Sequence, residues 1–170
     1  MSSMLFVSTR EGMVAFTRQE EGWREFARGL IGRHVTCMAA GGDVVLAGAT
    51  DGIFRADDGG KNWLNLAPGS YCRAAWVAQV DADHIILGSA KGVDVGGRIE
   101  HSVDGGKSWQ LASRGLQVPW PSYMVDRFIP QGDELFAVLS NGRLLVAGLD
   151  ELVWRPILAE VAGITMVAVA

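Results

Sequence analysis

The sequence predicts an all-β protein, a β-propeller with four four-stranded antiparallel blades in one 170-residue chain, and three observations carry that prediction. Trp23, Trp63, Trp109 and Trp154 recur at intervals of 40, 46 and 45 residues, and a fixed period of this length marks a repeat architecture. A second marker keeps the same order: apolar runs at Leu5, Val45, Ile85 and Leu135 lead to Gly12, Gly52, Gly92 and Gly142. Third, the apolar runs are short and β-branched, with turn signals every 8 to 12 residues or so, which fits strands and not core helices. Blades of this size stack face to face around an axis.

The units span about 1–30, 31–69, 70–116 and 117–160, with a closing strand at 163–170. Unit two reads as strands at 35–39, 43–48, 52–56 and 62–66; unit three as 73–80, 84–88, 98–102 and 108–112; unit four as 124–129, 134–139, 143–147 and 153–158. The third unit is longer between Gly92 and Trp109 because it carries an insertion at 92–97. In unit one, residues 18–30 fit an amphipathic helix locally, while their register with the other units favours a hairpin. Unit one also lacks an inner strand before Met4, and the β-rich run from Ile164 to Ala170 is placed to supply it. That run covers an open edge, either within one chain or by exchange between two chains, which would give eight blades and a homodimer. Small inner residues, Ala39, Ala74 and Ala75, are compatible with a narrow four-blade ring.

Composition narrows the function classes. The chain is 49% hydrophobic and 20% charged, enough apolar content for a substantial core. No apolar run has the ~18–20 residues a helical span needs, and no signal segment is evident, so no membrane partner and a cytoplasmic location are expected. Cys37 and Cys72 fall in inner-strand regions and read as buried reduced thiols. A net charge of −4, spread along the chain, argues against a nucleic-acid partner.

The best-kept turn, Ser102-Val103-Asp104-Gly105-Gly106-Lys107-Ser108-Trp109, resembles the Asp-box, or bacterial neuraminidase repeat, Ser/Thr-x-Asp-x-Gly-x-Thr-Trp, with Ser in place of the Thr. The turn from Ala56 to Trp63 keeps Asp58, Gly60 and Trp63 but begins with Ala. The other two units keep only the Trp. The physical logic is local: the Asp accepts backbone N–H groups left free by a tight turn, the hydroxyl does the same, and Gly takes a positive φ. The resemblance implies that these boxes are fold residues, lying between third and fourth strands on the face away from the usual ligand site.

Sialidases are the best-known enzymes with this box, and the resemblance would imply three arginines, a Tyr nucleophile assisted by Glu, and an acidic Asp. Only Tyr71 and Tyr123 are present, and Arg127-Phe128-Ile129-Pro130 resembles the family's Arg-Ile-Pro motif with an inserted Phe and in the wrong unit. His34, His84 and His101 sit at unlike repeat positions without metal-ligand spacing. No catalytic residue, cofactor or metal is therefore expected. The chain reads as a non-catalytic binding or scaffold module for a protein partner, similar in kind to Asp-box propellers that assist photosystem II assembly. The alternative is a carbohydrate-binding or glycosidase-like protein with a glycan partner.

A ligand is expected on the face formed by second-to-third-strand turns and inter-blade links. The candidates there are Arg33, His34, Asp51, Lys91, Asp94, Trp120, Tyr123 and Asn141. Trp120, between two prolines, has two readings: an exposed partner anchor, or a side chain folded back over a blade edge, which the residues slightly favour.

Overall fold

The computed structural model describes residues 3–169. Four antiparallel sheets follow one another along the chain, as the period predicts. The first blade contains β1 (Met4–Thr9), β2 (Gly12–Gln19) and β3 (Gly22–Gly29). The second contains β4 (Val35–Gly41), β5 (Val44–Ala49), β6 (Ile53–Ala56) and β7 (Leu64–Asn65). β8 (Tyr71–Val77), β9 (Ile85–Ala90), β10 (Arg98–Ser102) and β11 (Gln110–Leu111) form the third. The fourth is β12 (Val125–Gln131), β13 (Glu134–Leu139), β14 (Leu144–Gly148) and β15 (Arg155–Ile157).

Residues 18–30 form a hairpin: Gln19 pairs with Gly22 across the two-residue turn Glu20-Glu21. The outer strands at Leu64 and Gln110 are only two residues long, shorter than the pattern predicts. Each emerges directly from its Asp-Gly-Gly turn onto the solvent edge, where Leu64 and Leu111 are exposed and packing does not extend the ladder.

Both faces of the middle sheets are buried, so every residue of β5 and β9 is buried and all but Ser89 are apolar or glycine. Met13, Ala15, Leu30, Ala47, Ala49 and Phe54 join the first two blades. Val44, Leu46, Ile53, Ile85 and Leu87 join the second to the third. Ile86, Ile99, Leu135, Ala137, Leu145 and Trp154 join the third to the fourth. Alternate residues of one strand therefore serve two interfaces, as the pleat requires.

The recurring Trp packs backward, onto the preceding blade. Trp63 lies against the first blade, where a Cβ on Gly29 would fall 2.2 Å from its Nε1. Trp109 joins the core that holds Val44 and Leu46 of the second blade. Trp154 is only 2% exposed and donates its indole N–H to Ala112 O of the third blade at 2.8 Å.

The chain end departs from expectation. Residues 163–169 form no strand and do not pair with β1, so the first blade keeps three strands within this chain; Ala170 of the expected closing strand lies outside the described residues. The physical reason is the arc itself: β1 packs beside β4, β4 beside β8 and β8 beside β12, whereas no strand of the first blade packs comparably on the fourth. Among the described residues the run instead makes one backbone bond, Ile164 N–H to Gly142 O at 3.0 Å.

In the turn before Trp109, Asp104 accepts from the Ser108 amide (2.9 Å) and from the Ser108 and Ser102 hydroxyls (2.6 and 2.7 Å), while Ser102 Oγ accepts from Gly106 N–H (2.8 Å). The Asp58 carboxylate likewise accepts from the Lys61 and Asn62 amides and from the Asn62 side chain. Gly60 and Gly106 have φ of 90° and 91°. The Ser108 hydroxyl first, then its amide and the Ser102 hydroxyl, hold the Asp104 carboxyl well below the usual carboxylate range. A lowered folded pKa means that this stabilisation is complete above the unfolded value near 4 and is lost as pH falls toward the folded one. The unfolding midpoint is therefore expected to drop between about pH 4 and pH 2, and less so in Asp104→Ala; parallel pH profiles for the two proteins would contradict this role.

Candidate functional site: an axial cavity built from strand bulges

The inner strands of the three complete blades share a defect at one position. Pairing slips between Val35 and Cys37 in β4, between Cys72 and Ala74 in β8, and between Val125 and Arg127 in β12. The extra residue is Thr36, Arg73 and Asp126 respectively. A bulge bends its strand and re-aims the side chain it inserts, and here all three bulge residues line one cavity of about 1210 Å³ between the inner strands. Residues 163–167 form the remaining wall, with Thr165 among them.

Arg73 organises the polar part of this cavity. Its Nε–H donates to Tyr71 Oη at 3.0 Å, and Nη1 donates to Asp126 Oδ1 at 2.9 Å and reaches Asp94 Oδ1 at 3.4 Å. Asp94 comes from the third-blade insertion and has φ of 54°, a left-handed conformation that Asp tolerates better than most residues. Two carboxylates sharing one guanidinium fix its plane, and Arg73 remains about a quarter exposed, at 27%. The arrangement presents fixed donors and acceptors to whatever enters.

The second bulge partner, Thr36, donates to Gly48 O and to Cys72 O, tying β4 to β8. Beneath it Cys37 and Cys72 are free, with their sulfurs 3.8 Å apart. The neighbouring Cys37 thiol and burial push the Cys72 thiol well above its ordinary value, so it is inert as a nucleophile at neutral pH.

The structure sorts the predicted residues. His34 and Asn141 are exposed at the cavity wall, and Asp94 joins them through Arg73. Arg33 and Asp51 pair with each other, Arg33 lying over the Phe54 ring. Lys91 is exposed, and its backbone closes the insertion through Val95 O at 2.9 Å. Trp120 is 4% exposed and stacks on Tyr123 with ring centres 5.1 Å apart. It exchanges two backbone bonds with Gly97 (2.8 and 3.1 Å), so the two irregular segments brace one another and Trp120 takes the packing role. Asp58 and Asp104 spend their oxygens on their own turns, and no cluster of three metal-ligating side chains occurs among the described residues. No helix of the described residues is long and apolar enough to cross a membrane.

Sequence reasoning passed over Thr36, Arg73 and Asp126 as site residues. Their signal was a polar residue interrupting an inner-strand run at a repeated place, Val35-Thr36-Cys37, Cys72-Arg73-Ala74 and Val125-Asp126-Arg127.

An open arc of stacked blades with polar residues turned to its axis defines a β-propeller protein. No family model matches the chain, and no curated protein matches it. Among solved structures it is similar to an ancestral GH74 enzyme (16% identity, TM-score 0.70), covering 91% of this chain and 22% of that one. It is also similar to the GH74 xyloglucanase from Xanthomonas campestris (15%, 0.64, covering 91% and 29%). YCF48 bound to D1 peptide superposes as well (17%, 0.59, covering 88% and 48%). The chain thus spans less than half the length of these proteins, and at such identities the likeness is one of fold.

Proposed function

We propose that the chain is a non-catalytic propeller of the Asp-box kind whose axial cavity binds an extended segment of a protein partner. The observation that carries this reading is the set of bulges at Thr36, Arg73 and Asp126, which turns three inner strands into one polar wall. Residues 163–167 already lie along that cavity as non-helical chain, which supports an extended occupant beside them. YCF48, similar in fold, was solved with a peptide bound, and a protein partner fits that precedent. Asp126, the carboxylate in the cavity wall, is engaged by Arg73, which supports binding over hydrolysis.

A peptide array probed with the wild type and with Arg73→Ala tests the reading. Binding of a subset of extended peptides is expected, weakened roughly tenfold or more by loss of the central guanidinium, as for an interfacial Arg. A carbohydrate reading draws on the GH74 likeness. Specific binding to a glycan array with no peptide bound would establish it and overturn the protein-partner reading.

A further inference from the structure

The two ends of the arc expose complementary halves of one blade-to-blade joint, and we propose that a second copy of this chain completes each. The first half is the backward-facing side of the first blade. Met4 and Phe6 of β1 face the second blade, so Leu5 and Val7 face the other way, and they are 42% and 40% exposed. Trp23 lies on the same side, paired across the sheet with Arg18. It is 45% exposed, whereas Trp154, which has a preceding blade to pack on, is 2% exposed. Among the described residues β1 pairs only with β2, so the edge that carries an inner strand in the other three blades is open. An open edge beside an apolar face is a template for another strand.

The second half is the run after β15. Its sequence follows that of an inner strand: Ile164-Thr165-Met166-Val167-Ala168-Val169 matches Val35-Thr36-Cys37-Met38-Ala39-Ala40 in character, with Thr165 at the bulge position of Thr36. Its exit path is also that of a link into a next blade. Gly32 N–H donates to Glu11 O after the first blade, Gly69 N–H to Asp51 O after the second, and Ile164 N–H to Gly142 O after the fourth, each acceptor lying at a second-to-third-strand turn. The run is thus delivered to the axis as an inner strand, with Met166 68% exposed and no sheet to join.

A second copy of the chain supplies the missing half at each end. Its β1 receives the run, its first blade stacks after the fourth, and the two-fold exchange repeats the same contacts on the other side, closing eight blades. The register follows from β4 and β5, in which Met38 lies opposite Ala47 and Ala40 opposite Val45. The equivalent pairs are Val167 with Val7 of the second copy and Val169 with its Leu5. The run that makes this joint also supplies residues 163–167 to the wall of the axial cavity, but the joint does not depend on what the cavity binds.

Light scattering of the purified chain should give twice 18.2 kDa. Val7→Cys and Val167→Cys, made as single variants, mixed by unfolding and refolding and then mildly oxidised, should yield a covalent two-chain product absent from the wild type. Leu5→Asp should weaken association at least tenfold with the circular-dichroism spectrum of the fold retained. A mass of 18.2 kDa at micromolar concentration overturns the proposal. So does a Val7→Cys, Val167→Cys double variant that cross-links only within one chain, or a two-chain mass without the mixed cross-link. Peptide binding lost on Arg73→Ala is read separately, so failure of the joint and failure of the cavity are distinguishable.

Discussion

Truncating the four repeated tryptophans to Ala is expected to produce a graded loss of stability, largest for Trp154 at about 3–5 kcal/mol. Trp154 sits among Leu135, Leu145, Ala112 and Leu152, tilts against Phe128 with ring centres 6.1 Å apart, and satisfies its indole N–H on the preceding blade. Its removal leaves a cavity walled by two sheets that cannot collapse together, and leaves Ala112 O without its donor. Trp63 and Trp109 are half-buried, so each should cost less. The Trp63 N–H bonds its own turn at Gly60 O (2.9 Å), while Trp109 Nε1 has no partner among the described residues. Trp63→Ala should therefore cost somewhat more than Trp109→Ala. Chemical denaturation of the four variants checks the order, and a Trp109 loss equal to that of Trp154 would contradict it. Trp23→Ala at low protein concentration should be nearly neutral, because no preceding blade covers that ring within the chain.

This gradation shows which part of the fold was legible in the sequence. The period of Trp and Gly placed all four blades because both residues have local duties: an aromatic that packs on a neighbouring blade, and a glycine in the second-to-third-strand turn, with positive φ at Gly12 and Gly142. The side chain of Asp104 does its work within five residues, and so its role could be read from spacing alone. Ring closure could not, because it depends on the angle between blades. That angle is set by how residues such as Ala47 and Ala49 nest against Met13 and Leu30 of the preceding blade. The inner-strand character of 164–169 was visible, whereas its lack of a partner in the chain was a property of the whole arc.

The site was less legible for a related reason. Arg73 and Asp126 are 53 residues apart and meet because each occupies the same bulge of its own inner strand. A bulge has no compositional signature as strong as Asp-Gly-Gly, so a polar residue inside an apolar run reads equally well as a strand start, which is how Arg73 was placed. Trp120 was the more open case. Its two flanking prolines allowed an exposed anchor or a ring folded back over a blade edge, and the backbone partner at Gly97 gives the second, burying the ring.

Gly115→Ala is the second substitution expected to have a large effect. The link leaving the third blade runs beside the start of the fourth blade's outer strand: Arg114 O accepts from Trp154 N–H at 2.9 Å, and Arg114 Nη1 donates to Glu151 O at 3.2 Å. Gly115 follows with φ of 83°, and a Cβ there would lie 2.4 Å from Trp154 O. Left-handed backbone costs an L-residue about 1–2 kcal/mol. The collision falls on a backbone carbonyl and not on a side chain that can rotate away, adding about 1–3 kcal/mol of overpacking. A total of about 2–5 kcal/mol is expected, with loss of the near-ultraviolet signal of Trp154 as the link lifts. Gly132→Ala supplies the comparison, since Gly132 also has positive φ, 56°, but an added Cβ meets nothing within 4 Å. It should cost only the conformational part, about 1–2 kcal/mol. Equal losses at the two sites would mean that backbone conformation alone sets the cost, and that the link does not press against the carbonyl of Trp154.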